Sequence, residues 1–393
     1  MPVRAAEATP YSTAAGARQA ENAAVAAKLA AVDWDFKVRV VQHDIESVHP
    51  YPAKFIADLP GAFLDVLPVP SGGLIMDPFC GSGTTLAEAQ RRGFETLGVD
   101  LNPIACLMAR VKTSPLPEGV LKSADLVVRE LDKSAAVEVP LIPNLAHWFK
   151  PSIQVALTRL TQAIERAPEA HKDFLRLAAS SIIVRVSNQE SDTRYAAIEK
   201  GVEAKDVREA FRKSCDRLHA ALTSRFYVLN AATVVEGDLL KVDMGEYSGR
   251  VGMIVTSPPY PNAYEYWLYH KYRMWWLGHN PISVKEKEIG ARAHFFKKNR
   301  HTSETFVHQM QEAFARFGEL LMPGGWVCFV VGRSVIHGEV IDNAKIVEEA
   351  GLAMGFEAVY RGTRNVLGSR KSFNLSHANI KQEAIVVLRK VAS

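Results

Sequence analysis

A glycine-rich turn between two apolar segments is the first feature of the sequence that could bind a ligand. It contains Asp-Pro-Phe-Cys-Gly-Ser-Gly-Thr-Thr at residues 77–85, after the apolar run 74–76. Glycine lets the backbone approach a ligand closely, and the free N–H groups at the start of a helix favour a carboxylate or a phosphate. The turn lacks the Lys-Ser/Thr pair of a P-loop. Its candidate binding residues are Asp77, Phe79, Cys80, Gly81, Gly83, Thr84 and Thr85.

An acidic residue ends the next predicted strand. Asp100 follows the run 96–99 and lies 17 residues after Gly83. A carboxylate at this place accepts hydrogen bonds from a ribose diol in nucleotide-binding α/β folds. The strand, the glycine turn, the helix and the acid together predict a cofactor that contains adenosine. By themselves they leave both NAD and S-adenosylmethionine open.

A proline-rich corner follows another predicted strand. It reads Thr-Ser-Pro-Pro-Tyr at residues 256–260, after the apolar run 251–255. Neither proline can donate a hydrogen bond to a sheet, so the pair makes a rigid corner. The corner presents the Ser257 hydroxyl and the Pro258 carbonyl at the C-terminal edge of the strand, where ligands of such sheets bind. This convergence favours a functional site over an ordinary turn.

Apolar runs that alternate with helical patterns predict the elements that position these residues. Strands are predicted at 74–76, 96–99, 232–235, 251–255, 326–331, 358–360 and 384–388. Helical patterns occupy 83–92, 103–112, 263–277, 303–320 and 343–354. Continuous apolar strands alternating with helices indicate a parallel sheet covered on both faces. We predict an α/β fold with a Rossmann-like, doubly wound, mostly parallel seven-stranded sheet, whose last two strands are antiparallel.

The sheet domain is predicted to be interrupted once. Residues 1–47 form an N-terminal helical appendage, and residues 48–112 and 230–393 form the sheet domain. Residues 113–229 contain no strand pattern but show helical apolar spacing, so we predict a helical insertion, which is one of two candidates for target recognition.

The glycine turn and the proline corner together resemble the motifs of the exocyclic-amino DNA methyltransferases, which use S-adenosylmethionine. Ser-Pro-Pro-Tyr is most typical of the cytosine-N4 branch, whereas adenine-N6 enzymes more often carry Asp or Asn in place of Ser257. The resemblance covers about 48–112 and 230–393. It implies a sheet of the methyltransferase type and S-adenosylmethionine as the cofactor.

The resemblance also assigns cofactor-binding roles outside the glycine turn. The segment 49–55, which includes Lys54, is similar to the one that closes over the cofactor in these enzymes. Asp100 matches the ribose-binding acid, and Asp238 matches the acid that contacts the adenine amino group. The remaining residues of the matching motifs are Leu101, Asn102 and Thr256.

The resemblance implies a direct methyl transfer at the proline corner. The amino nitrogen of cytosine is a poor nucleophile because its lone pair is delocalised into the ring. If Ser257 and the Pro258 carbonyl accept its two hydrogens, the nitrogen can attack the sulfonium methyl in line. Pro259 stiffens the corner, and Tyr260 is predicted to stack on a base that has left the duplex. The sequence argues against a C5-cytosine mechanism, because its cysteine nucleophile normally follows a proline and none of the four cysteines does.

Basic and aromatic residues beside these motifs are candidates for nucleic-acid contact. Segment 279–301 holds six basic and two acidic residues, and the connection after strand 358–360 holds a second basic cluster. A polar run at 186–195 in the insertion suits base reading in a groove, so the target-recognition region stays open between the two places. The candidate residues are Tyr264, Arg292, Lys297, Lys298, Arg300, Arg364, Arg370, Lys371 and Arg194.

The composition limits the classes of protein to which the chain can belong. The chain has 393 residues, 48% of them hydrophobic, and a net charge of +4. It contains no long uncharged apolar run and no CxxC pair, so we expect no membrane span, no metal site and a cytoplasmic protein. The favoured function is a cytosine-N4 DNA methyltransferase of a restriction-modification system, with a cognate restriction endonuclease or a second copy as partner. Adenine-N6 or RNA base-amine methylation, a non-catalytic DNA-binding subunit and a nicotinamide-dependent oxidoreductase are the alternatives.

Overall fold

The computed structural model describes residues 10–37, 44–52, 55–192, 194–225, 227–262, 265–296, 301–366 and 381–391. Its strands are β1 (Leu74–Asp77), β2 (Thr96–Asp100), β3 (Ala232–Glu236), β4 (Val251–Thr256), β5 (Leu321–Gly332), β6 (Ser334–Ile336), β7 (Glu339–Ile341), β8 (Phe356–Asn365) and β9 (Gln382–Lys390). Its helices are α1 (Pro10–Ala30), α2 (Asp58–Val66), α3 (Thr84–Arg91), α4 (Pro103–Thr113), α5 (Val120–Glu130), α6 (Leu145–Trp148), α7 (Pro151–Glu165), α8 (Glu169–Ile182), α9 (Ala204–Thr223), α10 (Tyr266–Trp276), α11 (Pro281–Lys287), α12 (Ser303–Leu320) and α13 (Asn343–Ala353).

Seven of these strands form one sheet in the order β3-β2-β1-β4-β5-β9-β8. The pairs from β3 to β5 are parallel, and β9 runs antiparallel to both β5 and β8. The predicted α/β doubly wound fold is therefore confirmed. The chain winds from β1 toward β3 on one side and from β4 toward β5 on the other. The crevice beyond the C-terminal ends of β1 and β4 is thus the switch point at which such sheets bind ligands.

Both faces of the central strands are buried, as their uninterrupted apolar sequences require. Successive residues point to opposite faces. Met76 belongs to the core that includes Phe314 of α12, whereas Ile75 belongs to the core that includes Phe63 of α2. The sheet consequently holds the strand ends, and the residues that follow them, in fixed positions.

Helices α5 to α9 lie between α4 and β3, within the stretch 113–229. They share one hydrophobic core with α4 and α10, in which Leu107 of α4, Phe174 of α8 and Trp276 of α10 are all buried. A polar connection also joins them, because the buried Arg273 of α10 donates to the Ser180 carbonyl oxygen over 3.1 Å and pairs with Asp192. The insertion is thereby packed directly against the helix that follows the proline corner.

Two differences from the sequence predictions concern the C-terminal region. The hairpin of β6 and β7 was not predicted, because strands of three residues are too short to show an alternating pattern. Strand β8 extends to Asn365, so Arg361 and Arg364 lie in a strand rather than in a loop. None of the described helices is both long and apolar enough to cross a bilayer.

Candidate cofactor and active site

A cleft of about 950 Å³, open solvent at its mouth included, lies beyond the C-terminal ends of β1, β2 and β4. The predicted residues that line it are Asp77, Phe79, Cys80, Gly81, Thr84, Asp100, Leu101, Asn102, Asp238, Ser257 and Pro259. Residues distant in the sequence therefore meet at the switch point of the sheet. Among the described residues there is no group of three or more His, Cys, Asp or Glu that could hold a metal ion.

The glycine turn follows β1 and opens helix α3. Gly81 and Gly83 have φ angles of 47° and 79°, in the left-handed region that glycine adopts without strain. A Cβ atom at position 81 would lie 3.1 Å from the Tyr51 hydroxyl oxygen. Only glycine thus lets the turn lie this close to Tyr51, which itself lines the cleft.

Gly83 provides a test of the turn's packing against α4. A Cβ atom at position 83 would lie 2.8 Å from the Ala109 Cα, whereas at Gly72, with a similar φ of 75°, it would meet nothing within 4 Å. We expect Gly83→Ala to lower the free energy of unfolding by about 1–3 kcal/mol more than Gly72→Ala, because only the former overpacks a helix contact. Urea denaturation of the two variants measures this difference. Equal losses would show that the turn can shift away from α4.

A buried hydrogen bond connects the glycine turn to the proline corner. The Thr256 hydroxyl donates to Asp77 Oδ1 over 2.6 Å, and the Phe79 backbone N–H donates to the same oxygen over 3.1 Å. Burial raises the pKa of Asp77 to about 6, against the lowering effect of these hydrogen bonds. Asp77 and Thr256 thereby hold the two motifs in register at adjacent strand ends.

Asp100 is held with its carboxylate at the wall of the cleft. Its Oδ2 accepts from the Gly81 N–H over 2.8 Å, and its Oδ1 accepts from the Asn102 N–H over 2.8 Å. Burial raises its pKa to about 6. Each oxygen has a second lone pair, so a fixed carboxylate remains able to accept from two ligand hydroxyls. Asn102 also caps α4, where its side chain accepts from the Ile104 N–H.

The proline corner contains an ordered set of hydroxyl groups. Ser257 Oγ lies 3.0 Å from Tyr260 Oη, which donates to the Val330 carbonyl oxygen at 3.2 Å and to Glu383 Oε1 at 3.1 Å. If the single Tyr260 proton is directed to the Val330 carbonyl or to Glu383, the Ser257 hydroxyl is the donor in its contact with Tyr260. In that arrangement the Ser257 lone pairs are available to a group in the cleft.

Two predicted nucleic-acid contacts are wrong. The Tyr260 side chain is only 6% exposed and packs in the core, so its ring cannot stack on a base. Arg364 is 4% exposed and lies 3.3 Å from Glu383, because β8 and β9 pair side by side and bring the two residues opposite each other. Arg364 therefore pairs with a partly buried carboxylate instead of contacting a phosphate. The neighbouring Arg361 pairs with Asp342 and Glu348, acids that are distant in the sequence.

The other predicted contacts lie at the edges of the described structure. Arg292 begins a short 3-10 helix that ends at Phe296. Arg194 is exposed on the insertion and pairs with Glu190 over 2.7 Å. The remaining predicted residues, Lys54, Tyr264, Lys297, Lys298, Arg300, Arg370 and Lys371, lie outside the described residues.

One wall of the cleft was not predicted. Glu288 accepts the backbone N–H groups of Tyr266 and Trp267 over 2.8 and 3.0 Å, and so caps the N-terminus of α10. Burial raises its pKa to about 8. The Tyr266 ring stacks on Tyr51 with 6.0 Å between ring centroids, and both rings line the cleft. In the sequence Glu288 is one of two acids in a basic segment, and nothing local marks it as a cap. The contact between Tyr51 and Tyr266 joins two segments that are distant in the sequence.

Comparison with known proteins shows a family that the segment around the glycine turn resembles. A family model described as DNA methylase, of the N6/N4 type, matches residues 34–110, which include the glycine turn and Asp100. This part of the chain is similar to the exocyclic-amino DNA methyltransferases. The family uses S-adenosylmethionine as its cofactor. The cleft fits that molecule: Asp100 has free lone pairs for a ribose diol, and Gly81 leaves room beside Tyr51 where a Cβ would intrude.

Two curated relatives are Type II methyltransferases. M.MvaI of Kocuria varians is 29% identical over 153 residues, covering 36% of this chain and 34% of its own length. M.MjaII of Methanocaldococcus jannaschii is 37% identical over 86 residues, covering 21% of this chain and 16% of its own. The matched part of the chain thus spans about a third of one relative's length and about a sixth of the other's. Among solved structures, the rRNA methyltransferase aviRa of Streptomyces viridochromogenes has a TM-score of 0.35 and 12% identity, covering 91% of this chain and 96% of that one.

Proposed function

We propose that this chain transfers a methyl group from S-adenosylmethionine to the exocyclic N4 amino group of cytosine in DNA. The observation that carries the proposal is the orientation of Ser257 at the wall of the cofactor cleft. With the Tyr260 proton directed to Val330 and Glu383, the Ser257 hydroxyl donates to Tyr260 and acts as an acceptor toward the cleft. The exocyclic amino group of the base has hydrogens to donate, so its partner in the cleft must be a hydrogen-bond acceptor.

The chemistry follows from that orientation. Hydrogen bonds from the amino group to Ser257 Oγ and to the Pro258 carbonyl reduce delocalisation of the nitrogen lone pair into the ring. With S-adenosylmethionine in the cleft, the lone pair would be free to attack the sulfonium methyl carbon in line, so that a C–N bond forms as the S–C bond breaks and the amino proton is lost to solvent. S-adenosylmethionine supplies the methyl group when bound. The protein contributes positioning and oriented acceptors, with no covalent intermediate on the chain.

Tyr260 has a positioning role in this proposal. It does not face the base; it fixes the direction of the Ser257 hydroxyl, and Glu383 and Arg364 fix Tyr260 in turn. A base within a duplex cannot reach a cleft at the switch point of a sheet, so the target cytosine leaves the stack. Both curated relatives are Type II methyltransferases, and on that basis we expect a cytoplasmic enzyme with a cognate restriction endonuclease.

Methylation with isotopically labelled S-adenosylmethionine tests the proposal. A mixture of double-stranded DNA and RNA is incubated with the purified chain, digested to nucleosides and analysed by mass spectrometry. We expect the label in N4-methyldeoxycytidine. Label in N6-methyldeoxyadenosine would establish the adenine alternative, which the family model also covers. Label in RNA nucleosides alone, or no transfer, would overturn DNA methylation as the function.

A further inference from the structure

A row of positive and aromatic side chains extends from the neighbourhood of the cleft to the insertion. Lys285, on α11 beside the cleft-lining Val284, has its Nζ 4.8 Å from the ring centroid of Trp267. Trp267, Lys271 and Trp275 are spaced four residues apart on α10 and therefore lie on one side of the helix. Lys271 Nζ lies 4.8 Å from the Trp275 ring centroid and 5.8 Å from that of Tyr195.

Tyr195 forms the far end of this row and is held firmly by its neighbours. Its ring centroid lies 4.6 Å from that of Trp148, and the ring stacks on Tyr272 at an interplanar angle of 4°. The loop that carries it is closed by a bridge between Gln189 and Ala197. Tyr195 is nevertheless 37% exposed. A large ring that is exposed and already ordered loses little conformational entropy on binding.

The charges along the row are predominantly positive. The nearby acids of the insertion are engaged by other groups, because Glu190 pairs with Arg194 and Asp192 with Arg273. Within the part of the chain that the structure describes, no carboxylate lies within 4.0 Å of the Lys271 or Lys285 ammonium. The two ammonium groups are close enough that Lys285 contributes to lowering the pKa of Lys271, after burial.

We propose that this cation–aromatic row, formed at the surface by Lys285, Lys271, Trp275 and Tyr195 with the buried Trp267 beneath Lys285, binds the DNA strand that carries the target base. Lys271 and Lys285 contact successive phosphates, and Tyr195 stacks on a base beside the flipped one. Alternating cations and aromatic rings are the surface that a nucleic-acid strand with unstacked bases requires. The inference rests on the proposed function, since it takes the cleft beside Val284 as the destination of the flipped base.

The row also explains how the insertion would take part in DNA binding. Lys271 and Trp275 belong to α10, whereas Tyr195 belongs to the insertion, and their side chains meet at one surface. A strand that follows the row passes from the cleft to the polar loop of the insertion. The basic segment 279–301 and the polar run 186–195 would then contact one continuous DNA strand.

Salt-dependent DNA binding tests the row. The variants are the double substitution Lys271→Gln with Lys285→Gln, the substitution Tyr195→Ala, and the control Lys133→Gln, whose side chain is 62% exposed on the insertion. Fluorescence anisotropy with a labelled duplex gives the Kd between 50 and 200 mM salt. Each lost phosphate contact lowers the slope of log K against log salt by about 0.9, so we expect a decrease of about 2 in the double variant.

The expected results separate charge from stacking. Tyr195→Ala should weaken DNA binding about tenfold with an unchanged salt slope, because a neutral stacking contact releases no counterion. Lys133→Gln should match the wild type. The Kd for S-adenosylmethionine, measured by calorimetry, should be the same in all variants and shows that each is folded.

The proposed function and the row can fail separately. A wild-type salt slope in the double variant, while the wild-type chain methylates DNA, would overturn the row and leave the function intact. A reduced slope in a chain that methylates no nucleic acid would support the row and overturn the function. Binding of the wild type to RNA alone would overturn the proposal that the row binds DNA. Binding to an acidic peptide but to no nucleic acid would overturn it as well.

Discussion

Replacement of Ser257 by alanine is expected to lower the rate constant for methyl transfer by about 100- to 1000-fold while the Kd for S-adenosylmethionine stays within about twofold of the wild type. The hydroxyl lies at the cleft and is oriented by Tyr260 over 3.0 Å, so its loss removes an acceptor without opening the fold. The amino nitrogen then keeps its lone pair in the ring. The proposed cofactor contacts at Asp100 and Gly81 are untouched.

Single-turnover methylation with saturating cofactor measures the chemical step, and calorimetry measures cofactor binding. Tyr260→Phe is the matched companion variant, because it keeps the buried ring and removes only the hydroxyl that orients Ser257. We expect it to lose about tenfold in rate, less than Ser257→Ala, since the serine hydroxyl is still present but free to rotate. Wild-type turnover by Ser257→Ala would exclude the acceptor role. A Tyr260→Phe rate equal to that of the wild type would exclude the orientation by Tyr260.

Replacement of Asp100 by asparagine is expected to weaken S-adenosylmethionine binding by about 10- to 100-fold. The two carboxylate oxygens accept from Gly81 and Asn102, and an amide has only one oxygen. The asparagine NH₂ must therefore face one of these N–H donors, or turn away and leave it unpaired. The acceptor for one ribose hydroxyl is lost as well.

Asp100 also gives cofactor binding a specific pH dependence. Its pKa of about 6 means that the carboxylate is largely protonated at pH 5 and ionised at pH 7.5. The ionised form accepts from both ribose hydroxyls and attracts the sulfonium charge, so wild-type affinity should rise with pH through about 6 and level off above 7. Asp77, whose pKa is also about 6, contributes a part of this rise.

Calorimetric titrations between pH 5 and 8 measure this profile in the wild type, in Asp100→Asn and in the control Glu236→Gln. Glu236 pairs with Asp100 in the register of β2 and β3, is exposed, and raises the pKa of Asp100 by its charge. The control should keep full affinity for S-adenosylmethionine at pH 7.5. The midpoint of its rise in affinity should lie at a lower pH than in the wild type. Asp100→Asn should show a shallower rise, from Asp77 alone. An affinity of Asp100→Asn equal to that of the wild type would remove Asp100 from the cofactor site.

The sheet and the two motifs could be predicted because their signals are local. A strand buried on both faces needs an unbroken apolar run, and every run from 74–76 to 384–388 lies in a strand of the sheet. The glycine turn and the proline corner follow such runs directly. Their convergence then follows from parallel topology, since the C-terminal ends of neighbouring parallel strands meet at one edge.

The errors come from contacts that only the folded chain creates. Tyr260 and Arg364 were predicted to face a nucleic acid because each lies beside a motif or in a basic cluster. In the structure, the pairing of β8 with β9 and of β9 with β5 brings Arg364, Glu383 and Val330 to the Tyr260 hydroxyl. Glu288 was overlooked for the same reason, because its partners are two backbone N–H groups more than 20 residues earlier.

The hydrophobic core shared by α4, the insertion helices and α10 restricts how specificity could be exchanged between enzymes of this kind. Leu107, Phe174 and Trp276 come from three separate parts of the chain and are buried together. A transplant of residues 113–229 alone would bring most of this core into a host that supplies a different remainder. A hybrid with new sequence preference would need α10 from the same donor, and with it the helix that starts at the cleft and carries Lys271. Recombination between relatives is therefore expected to succeed with crossovers after α10, and to give misfolded hybrids with crossovers at the insertion boundaries.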